Sequence, residues 1–200
     1  MALWATNLEN LKRHIGITVS AADDARLEDL IEEVQEEINS YCNRNFELPS
    51  ADVTETYSGG VRTLSVDRWP IASITSIKEA GDWDFTNATA LTANEGYRAR
   101  NADGLIRRVG TEWLAGFDTV QVVYSGGYVA DGGTVGSGET ALPRDLHLAA
   151  LLQCEHMYRN HEYFGKLNVS ITGNTAGVST AAILPQVRTV LDRYRRLASG

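Results

Sequence analysis

Two cysteines are all that this 200-residue chain contains. Cys42 and Cys154 both fall in helical patterns, so buried free thiols in a reducing compartment are expected, with a single disulfide as the alternative; a small disulfide-stapled scaffold is excluded. Long apolar runs are also missing. The most apolar stretch, LHLAALL over 146–152, is far too short to span a bilayer, and no membrane partner is expected. The opening residues, MALWATNLENLK, have neither a basic n-region nor an apolar h-region, so no secretory leader is expected.

A phosphate-binding lysine is the next absence. Residues 133–140 read GTVGSGET, one substitution away from the P-loop pattern G-x-x-x-x-G-K-[ST]. The lysine that would neutralise the β- and γ-phosphates is Glu139, a charge reversal. Pro143 places the following helix start after the motif rather than within it. Nucleotide binding is therefore not expected. The stretch 128–142 is read instead as a flexible loop between a strand and a helix, of a length that is usually functional or mobile.

Catalytic signatures are lacking as well. No G-x-S-x-G elbow occurs, and Ser125-Gly126-Gly127 does not supply one. His147, Cys154 and His161 recur every seven residues along one helical stripe. That spacing spans about 10.5 Å of helix, too far for three ligands to share one ion. His14 lies at the end of a short helix, where a cation suits the dipole. No enzyme, cofactor or metal site is expected.

What is present is an ordinary globular composition, 43% hydrophobic and 22% charged, with a net charge of −8. The charge is uneven. Residues 184–200 carry Arg188, Arg193, Arg195 and Arg196 against Asp192, so the rest of the chain is more acidic than the total suggests. An acidic body argues against broad nucleic-acid binding.

Periodicity divides the chain. Thr6-Asn7-Leu8-Glu9 reads as a capping box opening a helix over 7–15 that stops at Gly16. Leu27, Leu30, Ile31, Val34, Ile38 and Tyr41 then follow a 3.6-residue period over 21–44, with Glu28, Glu32, Glu33, Glu36 and Glu37 opposite them. From residue 47 the period shortens. VTETYS, VRTLSV, IASITSIKE, GLIRRV and TVQVVYS are rich in β-branched residues and punctuated by Gly59-Gly60, Gly81-Asp82 and Asp103-Gly104. They predict an antiparallel β-subdomain over 50–127 with Trp69, Trp83 and Trp113 as packing anchors.

Leu142-Pro143 opens a third helix over 143–162, apolar nearly all round in its first half and so expected to be central. Residues 165–183 are small and polar, and are read as a second flexible segment in which Leu167, Val169 and Ile171 alternate as in a strand or extended arm. Leu184-Pro185 starts a fourth helix, to about 197, with Val187, Val190, Leu191 and Tyr194 inward. The fold class is α+β: a bundle of about four helices with an inserted small antiparallel β-subdomain, in one domain over 1–200.

Two polar clusters stand out. The acidic face of the second helix is either simply solvated, or it lines something anionic or meets a basic partner. The C-terminal arginines either complement the helix dipole, dock on an acidic protein surface, or contact DNA phosphates.

The ordered set of segments resembles the head–tail connector family of tailed phages, also called adaptor or head-completion proteins, in a longer form with a β-insert. LENLKRHIGI followed by DDARLEDLIEEVQEEINSYCNRNF resembles the family's opening helix, short link and long second helix. WPIASITSI and VQVVYSGGY resemble its inserted strands. LPRDLHLAALLQCEHMYRNHE and ILPQVRTVLDRYRR resemble its last two helices. The likeness covers about residues 7–196.

It implies a structural virion protein assembled in the host cytoplasm. Such a protein forms a homo-oligomeric ring of about twelve copies with closed symmetry, between the capsid portal protein and a tail or tail-completion protein. DNA passes through without specific binding. It further implies that Val187, Arg188, Leu191, Arg193, Tyr194, Arg195 and Arg196 meet the portal. Glu28, Glu32, Glu33, Glu36 and Glu37 would then be free to face the channel, where a negative wall lets DNA slide. The alternative is a small DNA-binding or tail-side phage protein using the C-terminal arginine-rich helix.

Overall fold

The computed structural model describes residues 3–16, 21–160, 168–171, 174–177 and 183–196. The chain forms two compact units. The first gathers residues 1–42, 130–132 and 142–195, and the second 43–129, 133–141 and 196–200. The backbone thus passes between them after residues 42, 129, 132, 141 and 195. The fold class is the expected α+β.

The first unit is helical: α1 (Leu8–Ile15), α2 (Ala21–Cys42), α3 (Arg144–Asn160) and α4 (Pro185–Leu191), the last continued by a 3₁₀ turn over Asp192–Tyr194. The cap of α1 is one residue later than the sequence suggests. Asn7, not Thr6, is the N-cap, and its side chain accepts from the Asn10 N–H at 2.9 Å. Asn caps at least as well as Thr, and Thr6 is fully buried. Gly16 closes the helix at φ 74°, its N–H donating to the Lys12 carbonyl.

α3 packs against α1, α2 and α4, which makes it the central helix. The core joins Trp4, Leu11, Leu27, Ile31, Val34, Ile38, Leu146, Ala150, Val187 and Leu191. Apolar area removed from water stabilises by about 25 cal/mol per Å². α3 is not buried all round: Leu148 is 49% exposed.

The fully buried Gln153 has both ends of its amide bonded. Gln153 Nε2 donates to Glu37 at 3.2 Å while its Oε1 accepts from the Leu184 N–H at 3.1 Å. Asp131 accepts from the Asn7 Nδ2 at 3.2 Å and the Asn10 Nδ2 at 2.5 Å, and pairs with His147 at 3.2 Å. It ties α1, the 130–132 segment and α3 together.

Within 165–183 the described residues form a hairpin, β9 (Asn168–Ile171) paired antiparallel with β10 (Asn174–Gly177).

The second unit holds β1 (Val53–Tyr57), β2 (Thr63–Ser65), β3 (Ile71–Glu79), β4 (Tyr97–Arg100), β5 (Leu105–Arg108), β6 (Val120–Gly126), β7 (Tyr128–Val129) and β8 (Thr140–Ala141). Two three-stranded antiparallel sheets, ordered β1-β6-β3 and β2-β5-β4, contribute to one apolar cluster. Leu64, Ile77, Ile106, Trp113, Val120, Val122 and Tyr124 form its centre. The alternation of β6, buried at Val120, Val122 and Tyr124, follows the two-residue period of a half-buried strand.

Of the tryptophans expected as anchors, only Trp113 is fully buried. Trp69 is half-buried under the Arg44 guanidinium, 3.3 Å from its ring centroid. Trp83 is 64% exposed on a turn at φ 62°.

The glycine-rich stretch is bounded by short strands. β7 and β8 bracket it and pair in parallel, Tyr128 with Thr140 and Val129 with Ala141.

Candidate functional site

The C-terminal cluster divides by burial. α4 turns Val187 and Leu191 into the helical core, at 1% and 0% exposure, and leaves Arg188 exposed. The 3₁₀ turn tightens the chain so that Arg193 and Arg195 are also exposed and Tyr194 is half-buried. Grouping all seven residues as one contact surface, as the resemblance implied, overlooks that two of them already hold this helix to its own subunit.

The exposed arginines are positioned. Tyr41 Oη at the end of α2 donates to Asp192 at 2.6 Å, and the guanidinium groups of Arg188 and Arg195 lie 5.7 and 5.2 Å from the Tyr41 ring centroid. The hydrogen bond to Asp192 raises the Tyr41 phenol above its ordinary pKa. Tyr194 Oη donates to Asp145 at 2.7 Å, with Arg193 3.5 Å from the same carboxylate. Arg196 belongs to the second unit, where it pairs with Asp67 at 3.4 Å and donates to the Ser65 carbonyl at 2.6 Å. It is a structural cation.

The acidic face of α2 also divides. Glu28, Asp29, Glu33 and Glu36 are exposed, whereas Glu32 and Glu37 are half-buried. Burial pushes the Glu37 carboxyl up, the Gln153 hydrogen bond opposing it. The exposed set holds Asp29 and Glu33 four residues apart, a like-charge spacing that weakens a helix, and no basic residue occupies the last turn.

The sequence reading missed a third cluster. On β2-β5-β4, Ile106 faces the core, so its neighbours Leu105 and Arg107 face outward. Arg98 of β4 stands directly opposite Arg107 in the register, and Thr63, the residue after Arg62, is opposite Arg107 on the other side. Arg62, Arg98 and Arg107 are exposed. They line a shallow depression with Arg108, whose own charge is paired with Glu79 at 3.1 Å. Only YRAR alternates in the sequence; LIRR does not. The acidic total concealed the cluster.

A fourth feature is apolar. Trp83 and Phe117 are 64% and 73% exposed, and Trp83 Nε1 donates to the Phe117 carbonyl at 2.7 Å.

The remaining motifs have structural explanations. In GTVGSGET, the Glu139 carboxylate accepts from the Gly136 N–H at 2.7 Å, taking a donor that a phosphate would need. His147 pairs with Asp131 and His14 with Glu155 at 3.1 Å, and Cys154 is buried. His161 lies outside the described residues. Among those described, no group of three or more His, Cys, Asp or Glu is placed to hold a metal ion, and no helix is long and apolar enough to cross a membrane.

A family model described as "Head completion protein" matches residues 6–197. The chain belongs to the head completion protein family. Membership makes it a structural protein of the virion head–tail junction, in agreement with the resemblance carried by its helices. No curated protein matches it in sequence. Solved structures share its fold. A chain from the "Neck of empty GTA particle computed with C6 symmetry" superposes with a TM-score of 0.59 at 18% identity, covering 98% of this chain and 93% of that one. A chain from the "Virion of native gene transfer agent (GTA) particle" gives 0.58 at 18% identity, with coverages of 98% and 93%. One from the "Neck of native GTA particle computed with C12 symmetry" gives 0.55 at 18%, with coverages of 100% and 96%.

Proposed function

We propose that this head completion protein is an adaptor that assembles into a closed ring of about twelve copies between the capsid portal and the tail, lengthening the channel through which DNA passes. Its role is mechanical rather than enzymatic, and DNA slides past without specific contacts. The observation that carries the reading is the basic edge of the helical unit. Arg188, Arg193 and Arg195 project from an element whose inner side, Val187 and Leu191, is fixed in the core. A charged edge on a rigid element is suited to docking on an acidic protein surface, because little side-chain and backbone freedom remains to be lost. Particle necks computed with six- and twelvefold symmetry, whose chains share this fold, support the ring.

The test is a mass. The protein is mixed with the portal ring of its own virus and the complex is weighed by native mass spectrometry, as wild type and as Arg188→Glu/Arg193→Glu/Arg195→Glu. Truncating the helix is unsuitable, since Val187 and Leu191 would leave the core. Addition of a full ring by the wild type and its loss in the triple variant is the expected result. Equal loading by both removes the docking role. No loading by either, with salt-dependent binding to duplex DNA, favours the DNA-binding alternative.

A further inference from the structure

The outer face of β2-β5-β4 breaks a local rule. Like charges directly opposite each other on neighbouring strands are destabilising, yet Arg98 and Arg107 are so placed. Arg62, the residue before β2, is a third exposed cation lining the same depression. None of the three has an ion pair among the described residues, whereas nearby Arg100 pairs with Asp103 and Arg108 with Glu79. The chain carries carboxylates in excess, 26 Asp and Glu against 18 Lys and Arg, so an unpaired arginine trio is not forced by composition. The exposed side of α2 breaks the equivalent rule for helices, with Glu28, Asp29, Glu33 and Glu36 crowded on one face. Departures from local consistency concentrate at functional surfaces.

The two faces are complementary in sign and in spacing. Arginines on adjacent strands stand about 4.8 Å apart across a sheet. Carboxylates at i and i+4 stand about 6 Å apart along a helix. Each guanidinium offers a planar fork that matches a carboxylate.

We infer that the arginine face of β2-β5-β4 docks on the acidic face of α2 of a second copy of this chain. One copy supplies both halves of the contact from different surfaces, so the contact is head-to-tail. Such a contact propagates from subunit to subunit and closes into a ring when the rotation permits. The inference rests on the ring reading and names the surfaces that build it. It places the α2 acidic face at the subunit boundary rather than on the channel wall. An acidic second copy is favoured over DNA because the net charge of −8 repels a polyanion at long range, while a neighbouring copy presents matching carboxylates at close range.

Charge exchange tests this. One variant carries Arg98→Glu/Arg107→Glu, a second carries Glu33→Arg/Glu36→Arg, and a third carries all four changes. Ring assembly on the portal is weighed by native mass spectrometry, and self-association in solution is followed by sedimentation at low and high salt. Circular dichroism and melting verify the fold. Milder glutamine variants, Arg98→Gln/Arg107→Gln and Glu33→Gln/Glu36→Gln, replace any exchanged protein that does not fold.

Wild type assembles, each single-face variant loses assembly at least about tenfold in affinity, a loss of about 1.4 kcal/mol, and the fourfold variant regains it. An equimolar mixture of the two single-face variants also assembles, since they can alternate around the ring. Folded single-face variants that assemble like wild type overturn the inference and leave the ring reading standing, as does a mixture that fails to recover. Arginine-face variants that assemble normally but lose binding to a duplex DNA probe reassign the face to phosphate. A wild type that never forms a ring sinks the ring reading itself, and this contact with it.

Discussion

Tyr124 Oη donates a hydrogen bond to Glu55 Oε2 at 2.9 Å and accepts one from the Arg68 N–H, also at 2.9 Å. Tyr57 Oη donates to the same carboxylate oxygen. Two phenols and a carboxylate thus close one end of the β-unit core. Burial, followed by the Glu55 charge, pushes both phenols far above their ordinary range. Tyr124→Phe removes the donor to a half-buried carboxylate and the acceptor for a backbone N–H. We expect a loss of about 1–3 kcal/mol, read as a lower urea midpoint at unchanged slope.

The same phenols fix an alkaline limit. A group whose pKa is raised on folding keeps its contribution below the unfolded value, near 10 for a phenol, and loses it as pH rises beyond that. Spectrophotometric titration should show Tyr57 and Tyr124 ionising only together with unfolding of the β-unit. Their smooth ionisation in the folded protein would contradict the network.

Cys154 is fully buried, and burial pushes its thiol up to about 12. The native protein should therefore resist thiol reagents at pH 8, because the thiolate is the reacting species. Quantitative labelling should appear only in denaturant. The raised value also contributes stability that is present below about pH 8.5 and declines above it, by up to about 1.4 kcal/mol per pH unit for one proton. A Cys154→Ala variant should show a shallower fall over that interval, alongside a uniform packing loss.

Gln153 spans two helices and a loop through Glu37 and the Leu184 N–H. Gln153→Leu keeps much of the volume and strands that N–H. The expected cost is about 1–3 kcal/mol, with amide exchange at Leu184 rising more than exchange in the β-unit. Equal effects in both places would argue against a local role.

Gly127 sits at φ 117°, and an added Cβ would lie 2.6 Å from the Glu47 carbonyl oxygen. Gly127→Ala should destabilise the β-unit by at least about 1–3 kcal/mol from backbone strain alone, seen as a lower melting temperature. The opposing backbone is held by the Tyr128 N–H to Phe46 O bond at 2.7 Å and cannot move away freely.

The helices were legible because their apolar positions repeat every 3.6 residues, as with Leu27, Ile31, Val34 and Ile38, all buried. Their ends were less so, since Thr6 and Asn7 can both cap and only tertiary contacts, here Asp131, select one. The alternation of VQVVYS announced a strand, but sheet order depends on pairings far apart in sequence, such as β1 with β6. The proposed docking surface was half visible. Arginine count marked the C-terminal edge, yet periodicity alone did not show that Arg196 neutralises Asp67. The trio of Arg62, Arg98 and Arg107 comes from β4, β5 and the residue before β2, and is gathered only once those strands pair.

The five passages of the backbone between the helical and β units have a mechanical meaning. Tension on the β-unit reaches the helices through several covalent paths in parallel, not through one hinge-like linker. A protease nick within 133–141 severs one path and leaves the others bearing load. Redundancy of this kind is a form of toughness that no single bond supplies.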